Sequence, residues 1–464
     1  MLDRSPVPTR TGTVMAWVRE RVSGRALGPG ARLPSVRRLA EALAVSKSTV
    51  VEAYERLAAE GLVTARPGSG FYVAGGSRPP TLAEAGPHRD RAVDPLWVMR
   101  QTFEADGAAL RPGCGWLPES WMPSEAIRRG LRAAARLEDA ALVEYATPLG
   151  FAPLRALLAR RLAEHGLEVP PGQILLTGSA TQAMDLLCRH LLRPGDAVLV
   201  DDPCYFNFLN LARAHRAEVV GVPMTPNGPS LDAFAAACAH ARPRLYVTNA
   251  ALHNPTGASL APTTAHRLLK LVEAHDLTVI EDDILADFEP EPVQPRLAAF
   301  DGLSRVIQVG SFSKTLSASV RCGFVAARPD RIEALCDLQL ATAMAGCNLS
   351  ARLTHGLLTD GSYRRHVEGI RTRLARAMGE TARRLAEVGL RPWTEPRGGL
   401  FLWAELPDGF DSAEIARRAV AEGVVLAPGN VFSVGQGAGR YLRFNVAQSA
   451  HPRVFEVLGR AMRA

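Results

Sequence analysis

A lysine that follows two hydroxyl side chains has the clearest chemical potential in this sequence. Ser311 and Ser313 lie just before Lys314, after a predicted strand over 306–309, and Arg321 follows seven residues later. Two hydroxyls and an arginine can bind a phosphate dianion, and the amine can form an imine with an aldehyde. A cationic neighbourhood would lower the pKa of that amine and keep it nucleophilic. The alternative is an ordinary exposed lysine at the start of a helix.

A carboxylate at the end of another predicted strand suits the same chemistry. The strand over 278–281 is followed by Asp282, which can keep the nitrogen of a pyridine ring protonated. At about 4 Å and an effective dielectric near 20, such a pair attracts by roughly 4 kcal/mol before desolvation. Asp282 and Asp283 can also be read as a metal-binding pair, but no histidine or third acid is suitably spaced. We therefore expect no metal site.

A candidate phosphate site lies between a predicted strand over 173–177 and a predicted helix over 182–192. The connection contains Ser179, Ala180 and Thr181. Backbone N–H groups and the dipole at a helix N-terminus favour phosphate by on the order of 1 kcal/mol, apart from specific hydrogen bonds. The same pattern is common in ordinary helix capping, so this motif needs support from the others.

Four further side chains fit an aromatic cofactor and an amino-acid ligand. Asn254, in the turn His-Asn-Pro-Thr-Gly, can hydrogen-bond a phenolate, and Tyr205 can stack on a pyridine ring. Tyr145 is a candidate hydrogen-bond donor to a phosphate. Arg443 lies on a predicted strand, where it can bind a carboxylate with two nitrogens or form a structural ion pair.

These dispersed residues need a scaffold that brings them together, and the sequence pattern predicts one. After about residue 96, apolar strand-like runs alternate with helical stretches, which favours a mostly parallel sheet covered by helices. Open sheets of this kind bind ligands at the carboxyl ends of their strands. A length of 464 residues allows roughly two to three domains.

Composition narrows the class of protein. Hydrophobic residues make up 47% of the chain and charged residues 22%, as in ordinary globular proteins. No apolar run reaches the roughly 18 residues of a membrane-spanning helix, and the N-terminus lacks a signal-peptide core, so we expect no membrane partner and a cytoplasmic location. The seven cysteines include no C-x-x-C pair, which argues against a zinc cluster and a disulfide framework.

The net charge of +7 is concentrated at the N-terminus, where residues 1–75 contain eleven Lys or Arg against six Asp or Glu. This excess suits either a polyanion partner or a solvated basic surface. Apolar spacing predicts a helix over 11–23, a second helix capped by Ser35 and a third capped by Ser46. A predicted hairpin of two short strands follows. Hydroxyl and basic residues at the start of the third helix suit contact with the DNA major groove.

The sequence over residues 11–74 resembles the GntR family of winged helix-turn-helix regulators, above all in GPGARLPSVRRLAEALAVSKSTVVEAYERLAAEGLVTARPGSGFYV. The resemblance implies contacts with double-stranded DNA by Arg37, Ser46, Lys47, Thr49, Arg66 and Gly68. Taken alone, Arg37 can equally belong to a surface salt bridge and Ser46 can be only a helix cap. Residues 1–74 are thus the predicted DNA-binding domain, and the Gly- and Pro-rich residues 75–95 a predicted linker.

The motifs in residues 96–464 together resemble the fold-type I aminotransferases. The resemblance implies an α/β domain with a large, mostly parallel sheet, a smaller α+β subdomain from about residue 350, and pyridoxal 5'-phosphate (PLP) bound as an internal aldimine on Lys314. In that family the cofactor contacts would be Ser179, Ala180, Thr181, Tyr205, Asn254, Asp282, Ser311, Ser313, Arg321 and Tyr145. Tyr145 would act across a subunit boundary, which implies a homodimer, and Arg443 would bind the carboxylate of a substrate or effector.

The order of the two parts resembles the MocR/GabR group of PLP-dependent transcriptional regulators. One departure bears on function: relatives usually read Glu-Asp-Asp-Ile-Tyr where this chain has Leu285 as the fifth residue, or Ile284 in the place of the tyrosine if the register is shifted. The loss of one neutral hydrogen bond, about 1 kcal/mol, would leave cofactor binding intact but lower catalytic competence. We therefore expect a regulator that responds to an amino compound or to PLP itself. The alternatives are an active aminotransferase that carries a DNA-binding domain, and a DNA-binding scaffold without PLP chemistry, which conflicts with an intact Lys314.

Overall fold

The structure, a computed structural model, describes residues 9–24, 26–28, 30–66, 69–74, 93–105, 107–291, 293–294 and 296–463. The chain divides into two compact units, Met1–Asp90 and Arg91–Ala464. Residues 75–92 of the predicted linker lie outside the described residues, so the domain bounds drawn from the sequence stay a prediction. Within the described ranges, no helix is long and apolar enough to cross a membrane.

The described residues of the N-terminal unit form three helices and a two-stranded hairpin. They are α1 (Arg10–Ser23), α2 (Val36–Ala42), α3 (Lys47–Ala59), β1 (Val63–Arg66) and β2 (Gly70–Val73). Both predicted caps form, because Ser35 accepts a hydrogen bond from the backbone N–H of Arg38 and Ser46 accepts one from that of Thr49. The strands pair antiparallel. Apolar residues at helical spacing form the small core: Val14, Val18, Leu39, Val50, Tyr54 and Leu57.

The large sheet of the C-terminal unit has eight strands in the order β3-β10-β9-β8-β7-β4-β5-β6. Their bounds are β3 (Ile174–Thr177), β4 (Ala197–Asp202), β5 (Glu218–Thr225), β6 (Gly228–Pro229), β7 (Leu245–Thr248), β8 (Thr278–Asp282), β9 (Val306–Ser311) and β10 (Gly323–Ala326). Strands β5, β4, β7, β8 and β9 run parallel to one another, whereas β10 is antiparallel to both β9 and β3, and β6 is antiparallel to β5. Apolar cores lie on both faces of this sheet, which explains why its strands are almost continuously apolar.

Helices cover both faces of the large sheet and flank a smaller one. In chain order they are α4 (Pro95–Glu104), α5 (Ser124–Ala134), α6 (Asp139–Val143), α7 (Ala152–Glu164), α8 (Ala180–Leu191), α9 (Phe206–Ala214), α10 (Leu231–Ala241), α11 (Pro262–Ala274), α12 (Leu297–Asp301), α13 (Pro329–Ala343), α14 (Asn348–Thr359), α15 (Tyr363–Glu387), α16 (Ser412–Ala421) and α17 (Arg453–Arg463). The smaller, antiparallel sheet has the order β11-β12-β14-β13 and contains β11 (Arg391–Pro392), β12 (Phe401–Glu405), β13 (Ala427–Pro428) and β14 (Tyr441–Asn445). The predicted two-part fold is confirmed.

Candidate functional site

The order of three strands brings two of the predicted phosphate-binding segments together. Gly323 of β10 pairs on one side with Thr177, the last residue of β3, and on the other with Ser311, the last residue of β9. The segments that follow β3 and β9 therefore begin at the same edge of the sheet. β8 lies beside β9 and ends at Asp282 on that edge.

Glycine at position 323 is required by this close approach. A Cβ atom there would lie 2.7 Å from the carbonyl carbon of Ser179 and 2.8 Å from the backbone nitrogen of Ala180. Ser179 is the N-cap of α8 and accepts a hydrogen bond from the Gln182 N–H. The N-terminus of a twelve-residue helix thus lies against the end of β10, a position that suits the phosphate of a cofactor.

The other predicted phosphate residues lie around the same edge. Ser311 Oγ is 3.0 Å from Ser313 Oγ and 3.2 Å from the carbonyl oxygen of Cys322. Thr181 and Arg321 are exposed, and Arg321 has a left-handed backbone conformation with φ of 54°. Ser311 lies opposite Gly323 in the strand pairing, and Arg321 lies two residues before Gly323. The hydroxyl pair and the arginine are therefore at the same edge of the sheet.

Lys314 lies in the turn after β9 and lines a pocket that encloses about 700 Å³, including space open to solvent, so the alternative of an exposed lysine at a helix start is wrong. The same pocket is lined by Tyr205, Asn254, Asp282 and Arg443, which come from four other segments of the sequence. Burial lowers the pKa of Lys314 to about 8. Burial is the larger cause, and the positive charge of Arg443 lowers the pKa further. The sequence had led us to expect that neighbouring positive charge would be the cause.

Asp282 is a buried carboxylate that faces the pocket. Burial raises its pKa to about 7, while the hydrogen bond from the Ile284 N–H to its Oδ1 and the charge of Lys314 oppose the shift. Asn249 donates to the main-chain oxygen of Asp282, and its own Oδ1 is buried without a hydrogen-bond partner among the described residues. A carboxylate in this setting favours a cationic partner such as a protonated pyridine nitrogen. The donor set at this edge therefore fits PLP.

Arg443 is buried in β14 with only 2% of its surface exposed. Its Nη1 donates to Asn254 Oδ1 at 2.8 Å and its Nη2 donates to the Gly113 carbonyl at 2.6 Å, whereas its Nε has no hydrogen-bond partner among the described residues. No carboxylate pairs with it within the described ranges, so the alternative of a structural ion pair is not observed. Burial lowers its pKa to about 10. An incoming carboxylate would supply the missing counter-charge.

Leu285 lines the pocket and is only 3% exposed, and Ile284 lines it as well. The position at which relatives carry a tyrosine therefore does face the pocket, with an apolar group in place of the hydroxyl. Phe401 and Trp116 also line the cavity. Much of the wall around Lys314 is thus apolar.

Two lining segments gave no signal in the sequence. The first is Gly113 to Trp116; a Cβ at Gly115 would lie 3.6 Å from Lys314 Nζ, which puts this turn beside the amine. The second is α4, whose residues Val98, Met99, Thr102 and Phe103 line the pocket. Both are short and lie far in sequence from Lys314, so only the tertiary structure identifies them.

Tyr145 lies away from this pocket. It is 79% exposed and lines a separate surface cavity with Asn348 and Arg352. Within one chain it makes no contribution to the Lys314 pocket, as expected if its role requires a second subunit. That role stays a prediction. Within the described ranges, no group of three or more His, Cys, Asp or Glu side chains is arranged to hold a metal ion.

The predicted DNA-contacting residues lie at the surface of the N-terminal unit. Ser46 and Lys47 are exposed at the start of α3, and Thr49 is half-buried beside them. Ser46 Oγ is 2.8 Å from Thr49 Oγ1, so the cap partly engages both hydroxyls. Lys47 is exposed beside this pair of hydroxyls.

The other two basic residues of this surface make weak local contacts. Arg37 pairs with Glu41 at 3.2 Å, but both side chains are largely exposed, and such pairs contribute little stability. The guanidinium of Arg66 lies 4.4 Å from the ring centroid of Tyr72 in the hairpin. Gly68 lies outside the described residues.

Residues 118–460 match the family of class I and II aminotransferases, and residues 10–73 match the gntR family of bacterial regulatory proteins. The chain belongs to the class I and II aminotransferase family. Its N-terminal domain is of the gntR type, so the resemblance drawn from the sequence is confirmed.

Transcriptional regulators and aminotransferases are both similar to this chain. The HTH-type transcriptional regulator YdcR of Escherichia coli is 30% identical over 443 residues, which cover 93% of each chain. A 2-aminoadipate transaminase of Thermus thermophilus is 31% identical over 353 residues, covering 75% of this chain and 87% of the transaminase. The crystal structure of the α-aminoadipate aminotransferase LysN from Thermus thermophilus, complexed with N-(5'-phosphopyridoxyl)-L-leucine, is 29% identical with a TM-score of 0.72. It covers 79% of this chain and 94% of LysN. The chain is thus a gntR-type regulator fused to an aminotransferase domain.

Proposed function

We propose that this protein is a transcriptional regulator of the MocR type that binds PLP through Lys314 and changes its DNA binding in response to an amino compound or to PLP. The observation that carries the proposal is the joint placement of Lys314, Asp282 and Arg443 in one pocket of a chain that also has a gntR-type domain. An amine, a buried carboxylate and a buried guanidinium match the functional groups of PLP and an amino acid.

The residues that would hold PLP fall into three groups. Lys314 would form the covalent bond to the cofactor aldehyde through an amine that burial keeps partly unprotonated. Asp282 would hold the proton on the pyridine nitrogen, with Tyr205 against the ring and Asn254 beside its oxygen. When bound, PLP supplies an aldehyde that reacts with amines and a ring that withdraws electrons. Its phosphate would be held by Ser179, Ala180, Thr181, Ser311, Ser313 and Arg321 and, from the second subunit of a homodimer, Tyr145.

The pocket would select an effector that has both an amino group and a carboxylate. The amine competes with Lys314 for the cofactor, and the carboxylate binds at Arg443, whose Nε lacks an acceptor among the described residues. Apolar walls formed by Leu285, Ile284 and Phe401 favour an apolar body between the two groups.

Helix α4 offers a route from the pocket to the DNA-binding domain. It is the first helix among the described residues of the C-terminal unit, begins at Pro95, and is capped by Asp94, which accepts a hydrogen bond from the Trp97 N–H at 2.7 Å. Because four of its residues line the pocket, an effector in the pocket contacts the helix that directly follows the predicted linker. A shift in DNA affinity requires that the effector bind two arrangements of the chain with different affinities.

The DNA contacts would come from Lys47, Ser46, Thr49 and Arg37, with Arg66 and Gly68 in the hairpin. All of these except Gly68 lie within the described residues at or near the surface of the N-terminal unit. The phosphate contacts among them predict affinity that falls as salt concentration rises.

An aminotransferase activity is the second candidate function, and it is favoured by the presence of both Lys314 and Asp282 in the pocket. Leu285 argues against efficient turnover, because no hydroxyl at that position can stabilise the phenolic oxygen of PLP. Turnover of an amino acid and a keto acid at ordinary enzyme rates would support this second function.

The decisive experiment is a titration of the PLP-loaded protein with amino acids, in which visible absorbance and DNA affinity are recorded in the same samples. The DNA is a fragment that the purified protein selects from genomic DNA. We expect one class of amino acid to change both signals at the same concentration. If amino acids and PLP change absorbance but never DNA affinity, the regulatory proposal fails and the aminotransferase remains.

A further inference from the structure

A second cleft lies at the edge of the large sheet opposite to the Lys314 pocket. It encloses about 1340 Å³, including space open to solvent. Arg244 comes directly before β7, Thr278 begins β8 and Arg305 comes directly before β9, so these residues mark the amino ends of parallel strands. Arg328 and Arg331 reach the cleft from the start of α13. Four arginines from three separate segments of the fold therefore line one concave surface.

The carboxylates of the cleft do not balance these arginines. Arg305 pairs with Asp276 at 2.6 Å and Arg328 with Asp330 at 2.8 Å, and both carboxylates are largely exposed, so water screens them strongly. Arg244 pairs at 3.5 Å with Asp196, which does not line the cleft. Lining residues with a full positive charge outnumber those with a negative charge by four to two.

Arg331 has N–H groups that find no hydrogen-bond acceptor among the described residues of the cleft. Its Nη2 donates to Thr278 Oγ1 at 2.9 Å, but Nε and Nη1 are buried without a hydrogen-bond partner among the described residues. Burial lowers its pKa, and the neighbouring Arg328 lowers it further. Arg331 is half-buried, and N–H groups that are removed from water without an acceptor are unfavourable unless an anion compensates them.

The histidine of the cleft near Arg331 is affected by the same surplus of positive charge. His190, near the end of α8, has a pKa lowered by burial and by the charge of Arg331. An anion in the cleft would raise the pKa of both His190 and Arg331 again. The first turn of α13 adds the positive end of a helix dipole, part of which Asp330 already compensates.

We propose that this cleft binds a small molecule with a phosphate group, at a site separate from the Lys314 pocket. Planar guanidinium groups bind phosphate through two nitrogens, which matches the arginine-rich lining. The concave form of the cleft favours a small ligand over the backbone of duplex DNA, because a ligand within it can contact several of the arginines at once.

The test is calorimetric titration of the full-length, PLP-loaded protein with inorganic phosphate, at ionic strength held constant with chloride. PLP loading keeps phosphate from binding at the N-terminus of α8. The variants are Arg331→Gln and the more exposed Arg328→Gln, which keeps the test valid if the first variant does not fold. The matched control is Arg364→Gln, an exposed arginine of α15 that pairs with Glu368.

We expect saturable phosphate binding that weakens by about tenfold in the cleft variants and stays unchanged in the control, since a hydrogen bond to a charged group contributes roughly 1.5 kcal/mol or more. The proposal is overturned if phosphate shows no saturable binding, or if the folded cleft variants bind it as the unsubstituted protein does. It is also overturned if these substitutions weaken DNA binding and leave phosphate binding unchanged, because the cleft would then serve the DNA backbone.

Discussion

The DNA-binding unit and the Lys314 pocket place their functional side chains in opposite ways. In the N-terminal unit, Ser46 and Lys47 are exposed at the start of one helix, and the residues predicted to act with them lie within about thirty positions. In the pocket, Lys314, Asp282 and Arg443 come from distant segments and are held in a largely apolar cavity. Exposed groups act through charge and shape, whereas burial shifts the pKa of all three pocket groups.

The difference has a consequence for mutation. A change at the surface of the N-terminal unit should alter one contact at a time, because water screens neighbouring charges there. A change in the pocket should alter several properties together, because buried charges interact strongly at low dielectric. Substitutions in the two regions can therefore be compared by how many measured properties each one changes, such as PLP absorbance, ligand binding and DNA binding.

Loss of Lys314 should have the largest effect. The chain contains three lysines, Lys47, Lys270 and Lys314, of which the first two are exposed. We expect Lys314→Ala to abolish the visible absorbance of the PLP-loaded protein, and Lys270→Ala to leave it unchanged. Borohydride reduction followed by peptide mass spectrometry should place PLP on Lys314 alone. Modification of Lys47 or Lys270 at equal yield would remove the contrast between buried and exposed amines.

Arg443→Lys should weaken the binding of amino acids by about tenfold to a hundredfold, because lysine cannot bind a carboxylate through two nitrogens. Binding of the corresponding amines without a carboxylate should change little. Spectroscopic titration of each ligand pair measures both values. Arg440→Lys is the matched control, since Arg440 is an exposed residue that pairs with Glu405 and Asp408. Equal losses for acids and amines would show that Arg443 supports the pocket instead of binding the carboxylate.

The pKa of Lys314 predicts how fast the protein takes up PLP at different pH. An amine with a pKa of about 8 is mostly protonated at lower pH, so the rate should rise about tenfold per pH unit up to about pH 8 and then level off. An unperturbed lysine, with a pKa of about 10.4, would continue to gain reactivity through about pH 10. The growth of visible absorbance after mixing gives the rate. A continued rise beyond pH 9 would mean that burial does not set the reactivity of Lys314.

A change of Lys47 to Gln should weaken DNA binding several-fold and reduce the slope of its salt dependence by about one, as expected for the loss of one phosphate contact. PLP absorbance should not change. Lys270→Gln removes an equivalent charge from α11 and should leave the slope as it is. Fluorescence anisotropy over a range of salt concentrations measures the slope. A simultaneous change in PLP binding would mean that the two regions are coupled even without an effector.

Leu285→Tyr should have the smallest effect. The restored hydroxyl would stabilise the phenolate by about 1 kcal/mol, which shifts the pKa read from the PLP spectrum downward by less than about one unit. Leu285→Phe supplies similar bulk without the hydroxyl and controls for crowding at this buried position. A pH titration of absorbance measures both variants. Identical titrations of the two variants would show that the residue at position 285 does not contact the phenolic oxygen.

The N-terminal unit was predictable almost element by element, because its helix caps and its apolar spacing are local. Ser35 and Ser46 cap the helices as expected, and the hairpin forms where Pro and Gly interrupt two short apolar runs. Strand ends such as Asp282 were equally visible, since a buried strand ends where its polar residues begin.

The contribution of α4 and of the Gly113 to Trp116 turn could not be predicted. Neither segment has a distinctive motif, and each reaches the pocket only because the chain folds back over the carboxyl edge of the sheet. The arginine cleft was missed for the same reason. Its arginines are scattered in the sequence and become neighbours only at the amino ends of adjacent strands.

The sequence by itself determined the types of groups available and the elements that carry them, because capping, periodicity and strand termination are properties of a few consecutive residues. It thereby specified a gntR-type domain, an α/β aminotransferase domain and the lysine that anchors the proposed chemistry. Only the tertiary structure decided which groups share a cavity and how far burial shifts their ionisation. Desolvation depends on everything packed around a charge, and the apolar wall around Lys314 is assembled from segments as distant as α4 and β12.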